Sequence, residues 1–480
     1  MFQMNRRSFV KGAALAVSSF AVNGCVEDTY PSVSRSVAPK FRDAKEKIKI
    51  GVVGVGGKGW SDWTPMFDNG EDIVALCDVD RKPVERALKY ISDRRGAEYA
   101  AKVKCYSDYR LMLDECGKIC DAVTVSTPDH THGPAAIRAM RQGCHVYVQK
   151  PLVRTIWEAH YFEKVAKECG VVTQMGNQGS ANSGLRRNVE VLQAGVLGKM
   201  TEVHVWTNRP IWPQGILRPD GSDPIPENLD WNSWIGTAPM RPYKQGVYHT
   251  FKWRGFFDFG TGAFGDMACH TMNVPFRGLK LGAVESVECV KIEGNVVDGR
   301  VNDDTYPSKS IVKLHYAARE GMPPVTLFWY DGNLKPSADI MPAVINTLGS
   351  VPNTGCLIIG DKGMMVSTND YGAEAYVALN GEAKMKSVAK HPACAEDVIK
   401  PFLPRAAKGH YLEFVNAVKG TDRCFSDIDV SIPMLEGMLV GCIGQCFPGE
   451  KLAWNSARQT FGNRKADALI TPYIRKGWEY

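Results

Sequence analysis

The sequence predicts an α/β fold: an N-terminal doubly wound parallel sheet of Rossmann type, then an α+β domain with a mostly antiparallel sheet. Three observations predict it. A glycine-rich run, Gly54-Val55-Gly56-Gly57-Lys58-Gly59, directly follows a short apolar segment. Apolar segments then alternate with helical ones as far as residue 174. Beyond about residue 180, strand-like segments succeed one another with few helices between them.

Residues 48–55 form an apolar run ending in glycines, which reads as a buried parallel strand. Further strands are predicted at 73–77, 121–126, 145–148 and 171–174, with helices near 82–94, 109–113 and 134–142. In the second half, 201–207, 284–293, 310–316, 325–330 and 356–359 read as strands, and 410–418 and 434–445 as helices. The expected division is 1–25 signal, 26–45 polar linker, 46–178 Rossmann domain and 179–480 substrate domain.

Composition sets the broad class. The 480 residues are 44% hydrophobic and 23% charged, which is globular. Net charge is +6, and three of those cations, Arg6, Arg7 and Lys11, precede the first acid, Glu27; the remaining +3 is too weak and scattered for nucleic acid. The stretch Asn5-Arg6-Arg7-Ser8-Phe9-Val10-Lys11, followed by an apolar run to Val22, resembles a twin-arginine export signal and is too short to span a bilayer. Val22-Asn23-Gly24-Cys25 resembles a loose lipobox, with Cys25 as the residue to carry lipid. A periplasmic, lipid-anchored protein is therefore expected, against a cytoplasmic one with an Arg-tagged N-terminus. The 14 cysteines include no CxxC pair; Cys116/Cys120 and Cys442/Cys446 read as buried thiols on helix faces.

The glycine run carries the first chemistry. Gly54 permits a tight turn, Gly56 lets backbone N–H groups approach a pyrophosphate, and Gly59 lets helix pack on strand. Gly57 and Lys58 lie between them, where the helix N-terminus favours phosphate charge. Asp78 ends the next strand, 19 residues beyond Gly59, and suits the adenine ribose of NAD while repelling a 2′-phosphate. Arg81 keeps NADP open, and a glycine-rich turn without nucleotide is the bland alternative.

Three clusters read as chemical. The loop Ser126-Thr127-Pro128-Asp129-His130-Thr131-His132 follows a strand, so Thr127, Pro128 and His130 should edge the cofactor. A metal reading of the two histidines lacks a third ligand of matching spacing. Gln149-Lys150-Pro151 also ends a strand and puts an amine beside the nicotinamide position. Asp266 and His270 are four apart and share a helix face that Asn273 extends. A carboxylate beside an imidazole can orient it as the base for alcohol oxidation; a surface ion pair is the alternative.

The strand–GxGxxG start, the Lys-Pro corner and the Asp-x-x-x-His segment together resemble the Gfo/Idh/MocA oxidoreductases. Gly176-Asn177-Gln178, Trp253-Arg254-Gly255 and Arg475-Lys476-Gly477-Trp478 extend the resemblance from about residue 46 to the C-terminus. It implies a second domain with an open sheet often used for oligomerisation, and sugar, polyol or glycoside substrates oxidised at a ring hydroxyl. By the same resemblance Lys150 polarises the reacting hydroxyl, His270 is the general acid/base and Asp266 its partner. Gln149 and Asn177 join the cofactor set, although many members have Glu where Gln149 stands. Five tryptophans, Trp206, Trp212, Trp231, Trp234 and Trp253, cluster with polar residues in a way that suits sugar rings; His249 and Arg254 are the preferred substrate contacts. A redox-neutral glycosidase working through a keto-sugar, known among relatives of this family, and a non-catalytic NAD sensor are the competing readings.

Overall fold

The computed structural model describes residues 30–31, 37–319 and 321–480. The Arg6-Arg7 signal, its apolar run and Cys25 lie outside the described residues. Among the described residues, no helix is long and apolar enough to cross a membrane.

Six strands make the first sheet: β1 (Lys49–Val53), β2 (Asp72–Cys77), β3 (Lys104–Tyr106), β4 (Ala122–Val125), β5 (His145–Val148) and β6 (Thr173–Met175). They run parallel in the order β3-β2-β1-β4-β5-β6. Every residue of β4 and β5 is buried, Thr124 and His145 included, as expected of central strands covered on both faces. The order reverses between β1 and β4, and a crevice opens there beyond the strand ends. The glycine run, the Ser126 loop and the Gln149-Lys150 corner all leave strands at that edge.

The second sheet comprises β7 (Met200–Trp206), β8 (Val284–Glu293), β11 (Lys309–Tyr316), β12 (Val325–Tyr330), β13 (Gly355–Gly360), β14 (Gly363–Ser367), β15 (Ala375–Leu379), β16 (Lys386–Ser387) and β17 (Lys451–Ala453); β9 (Val296–Val297) and β10 (Arg300–Val301) form a separate hairpin. Its order is β16-β15-β14-β13-β7-β12-β11-β8-β17, and of these neighbours only β7 and β12 are parallel. Along β11 buried and half-exposed residues alternate, so one face is covered. The long helix Ile428–Gly444 packs on that side against β8 and β11.

Three departures from the sequence reading have physical causes. The described part of the expected linker is no free tether: Lys40 Nζ donates to the Gly117 and Cys120 carbonyls, both at 2.8 Å, and Arg42 binds Asp121 at 2.7 Å. Helix His410–Val418, far along the chain, buries Phe414, Val415 and Val418 in the Rossmann core. The helix expected from Pro134 begins at Asp129. Pro134 lacks the N–H that would bond the His130 carbonyl, and the Thr237 hydroxyl takes that carbonyl instead, at 3.2 Å. Of the two cysteine pairs, Cys446 is exposed and the other three are buried.

Candidate active site

A cleft of about 610 Å³ follows the crevice from the glycine run to helix Gly262–Thr271. Its first half fits a dinucleotide. Gly54 has φ +83°, and a Cβ there would sit 2.3 Å from the Ser126 carbonyl oxygen. A Cβ on Gly59 would lie 1.9 Å from the Gly54 oxygen, so helix and strand touch only because Gly59 has no side chain. Helix Gly57–Asp68 starts without a side-chain cap or an acid in its first turn. Its first N–H groups are thus left for an anion. Asp78 shapes the loop: it accepts from the Val55 and Gly56 amides, at 2.8 and 3.1 Å, and from Asp80 N at 3.0 Å. Asp78 and Asp80 both line this end. The Arg81 guanidinium is turned onto the Glu227 carbonyl at 3.1 Å and does not line it. Two carboxylates without that arginine favour a free ribose over a 2′-phosphate.

A segment of the second domain covers this end. Asp230 N donates to the Val79 carbonyl at 2.8 Å, Arg81 N to Asn228 O at 3.0 Å, and Asn228 Nδ2 to Asp80 at 2.7 Å. His249, expected at the substrate, lines the cleft at this end, 3.3 Å from Asp80.

The second half holds the reactive side chains. Lys150 leaves the end of β5, and its Nζ donates to Asp266 Oδ1 at 2.5 Å. Arg254 reaches the same oxygen at 2.9 Å. Burial opposes a charge on Asp266, but Arg254 and Lys150 outweigh it and hold the carboxyl at about 2. His270 lies one turn further along the same helix, its ring edge-on to Tyr371 at 5.2 Å. Burial, and then the Lys150 ammonium, push its imidazole down to about 3, so it is neutral at ordinary pH. Its Nδ1 is buried without a hydrogen-bond partner. Asp266 is therefore Lys150's partner rather than the orienting carboxylate of His270.

The helix that carries both residues is buried throughout. Phe264 stacks on Trp329 at 4.4 Å, nearly parallel. Gly441 gives Phe264 room, since a Cβ there would meet the ring at 2.2 Å. This close packing fixes the angle at which Asp266 and His270 enter the cleft.

Gly54, Gly56, Gly57, Lys58, Asp78, Thr127, Pro128, Gln149, Lys150, Arg254, Asp266 and His270 all line the cleft, and Gly59 supports it from behind. Three expected residues do not line it. His130 is buried against the second domain, its ring nitrogens 3.4 Å from Phe259 O and 3.1 Å from Trp234 O. Asn177 donates to Cys269 O at 3.2 Å, and its neighbour Gln178 lines the cleft instead. Asn273 starts a new helix, donates to Ser180 Oγ at 2.8 Å and accepts from Arg277. Of the tryptophans, Trp212, Trp234 and Trp253 line the cleft; Trp206 is core and Trp231 stacks behind Trp234 at 4.6 Å.

Asp129 was missed as a site residue. It is buried, accepts from Thr261 Oγ1 at 2.8 Å and lies 3.4 Å from Arg254. Burial pushes its carboxyl up to about 6, against the pull of Arg254. The folded protein therefore holds this proton more tightly than the unfolded chain, and the resulting stability is present below the unfolded value and lost as pH rises through about 6. Between pH 7.5 and pH 5 the wild type should gain roughly 1 kcal/mol relative to Asp129→Asn. Unfolding in urea at the two pH values measures this; an equal response in both proteins refutes it.

Residues 48–177 match the model of an oxidoreductase family with an NAD-binding Rossmann fold, and residues 194–296 match its C-terminal α/β domain. The chain belongs to the Gfo/Idh/MocA oxidoreductase family, and its N-terminal domain binds NAD. An α-N-acetylgalactosaminidase from Shewanella oneidensis is 29% identical over 181 residues, covering 35% of this chain and 39% of that protein. A glycosyl hydrolase family 109 protein from Saccharopolyspora erythraea is 32% identical over 171 residues, covering 34% and 37%. The match thus spans under half the length of either relative. The fold resembles the WlbA dehydrogenase of Chromobacterium violaceum, solved with NADH and UDP-GlcNAcA, with a TM-score of 0.58 at 17% identity, covering 87% of this chain and 98% of that one. It also resembles an inositol dehydrogenase homologue of Azotobacter vinelandii, solved with NADH and myo-inositol, with a TM-score of 0.55 at 17% identity, covering 87% and 100%.

Proposed function

We propose that this protein oxidises or reduces a ring hydroxyl of a sugar or glycoside with a firmly held NAD(H). The observation that carries the reading is the meeting of Lys150, Asp266 and His270 at the end of the dinucleotide cleft, walled by Trp212 and Trp253. NAD(H), held by the glycine run, Asp78 and Gln149, would supply the hydride acceptor or donor. Lys150 binds the reacting hydroxyl, with Asp266 fixing its ammonium. His270, neutral and lining the cleft, takes the hydroxyl proton. Flat indole faces suit the C–H faces of a sugar ring.

The segment pinned over Asp78–Arg81 supports slow release of the cofactor. Retained NAD(H) suits an enzyme exported with it, and we propose export on the Arg6-Arg7 segment. Cell fractionation with and without Arg6→Lys/Arg7→Lys tests this. Homo-oligomerisation through the open sheet and lipidation at Cys25 belong to the same proposal. The names of the partial relatives favour one second reading, a redox-neutral glycosidase that reduces its own keto intermediate.

The deciding experiment denatures the purified protein, assays released NAD(H), and incubates the native protein with a glycoside panel with and without an external hydride acceptor. Keto-sugar accumulation supports the dehydrogenase. Aglycone release without net NADH supports the glycosidase. Bound nucleotide with neither product refutes both.

A further inference from the structure

Behind the cleft, helix Gly57–Asp68 carries a fully buried carboxylate, Asp62. Three of its partners line the cleft, one from its own helix and two from different strand ends. Lys58 pairs with one oxygen from the glycine run. Ser126 Oγ donates to the other at 2.8 Å from the end of β4. Gln149 Nε2 donates to that same oxygen at 2.9 Å from the end of β5. Tyr147 OH stands 3.5 Å from the Lys58-bound oxygen.

An ionised carboxylate only accepts hydrogen bonds. The amide end of Gln149 that meets Asp62 is therefore its NH2 group, and its carbonyl is turned the other way. That carbonyl takes the Lys150 amide at 3.3 Å and keeps a second lone pair. Room for this arrangement comes from Gly176, where a Cβ would lie 2.6 Å from Gln149 Nε2. Burial pushes the Asp62 carboxyl up, and the Lys58 ammonium, Ser126 and Gln149 offset part of that cost.

We infer that Asp62 is a positioning residue for the cofactor. Through Gln149 it presents a fixed carbonyl acceptor to the nicotinamide-side ribose hydroxyls, and through Lys58 it sets the phosphate end. The acceptor role is thus filled by an amide backed by a buried carboxylate. This inference rests on NAD(H) occupying the cleft.

An exchange of charge tests it, read as NADH affinity by fluorescence titration, with a melting temperature for each protein. Asp62→Asn leaves two amides facing each other and frees Lys58. Gln149→Glu sets two carboxylates against each other where the amide now donates at 2.9 Å. Each single change should weaken NADH binding about tenfold or more, the scale of one lost charge-assisted hydrogen bond. The double variant restores one carboxylate and one amide, and should return affinity to within about threefold of wild type. Wild-type affinity in either single variant, or a double no better than the weaker single, overturns the inference. Should Asp62→Asn fail to fold, Gln149→Met keeps the Lys58–Asp62 pair and carries the test, and unchanged affinity again overturns it. A wild-type protein that binds no NADH would instead fail the cofactor assignment itself.

Discussion

Lys150→Ala should lower turnover by about two orders of magnitude or more, the scale of lost acid–base and hydroxyl-binding help, while leaving NAD(H) in place. Lys150 reaches the reaction end of the cleft from the strand-end corner it shares with Gln149, so truncating it takes away the ammonium without moving the backbone. The carboxylate it leaves behind is not stranded. Arg254 still meets Asp266 Oδ1 at 2.9 Å, and the fold should lose only about 1–2 kcal/mol. The variant also relieves His270 of the neighbouring cation that holds its pKa down after burial. Any residual activity should therefore develop a rising acid limb at higher pH than in the wild type, because the imidazole now protonates more readily. Rapid-mixing measurement of NADH formation with the best substrate of the panel reads both effects. Turnover within a few-fold of wild type would remove the amine from the chemistry and leave Arg254 as the only cation against Asp266.

The first domain was legible because its function and its fold use the same residues. The glycine run, Asp78 and the Lys-Pro corner each mark a strand end, and the apolar run 48–55 ending in glycines marks the first buried strand. Helix His410–Val418 was placed correctly along the chain but not in space. Nothing in an apolar helix says which core it fills, and this one crosses back to the Rossmann domain. Strand β3 was missed because its three residues, Lys104, Cys105 and Tyr106, are largely exposed and carry no apolar period. In the site, spacing put Asp266 and His270 on one helix face, yet it could not tell that Lys150 and Arg254 would capture the carboxylate from other elements. Asn273 failed for a local reason: the helix ends at Thr271, so the face predicted by spacing does not continue. Asp62 carried no signal, because a lone acid inside a helix reads as solvated surface until Lys58, Ser126 and Gln149 are brought around it.

Gly59→Ala should abolish cofactor retention and cost about 3 kcal/mol of stability, the upper end for overpacking a well-packed site. The added carbon would stand 1.9 Å from the Gly54 carbonyl oxygen and 3.2 Å from Ser126 Cβ, and the first of these is backbone that cannot rotate away. Helix Gly57–Asp68 must then lift from β1. Lifting it carries off the uncapped N–H groups that would meet the pyrophosphate and shifts Asp62 from its partners on β4 and β5. Gly57→Ala supplies the contrast. Gly57 has φ +53°, but a Cβ there meets nothing within 4 Å, so the fold should lose only about 1 kcal/mol from the left-handed backbone. Yet Gly57 lines the cleft, and a methyl group there narrows the approach to a phosphate. Thermal unfolding and the NAD(H) released on denaturation separate the two cases. Gly59→Ala should lose both stability and nucleotide, and Gly57→Ala mainly nucleotide. Full occupancy in Gly59→Ala would mean that the glycine run is a tight turn and nothing more, and the dinucleotide half of the cleft would lose its physical basis.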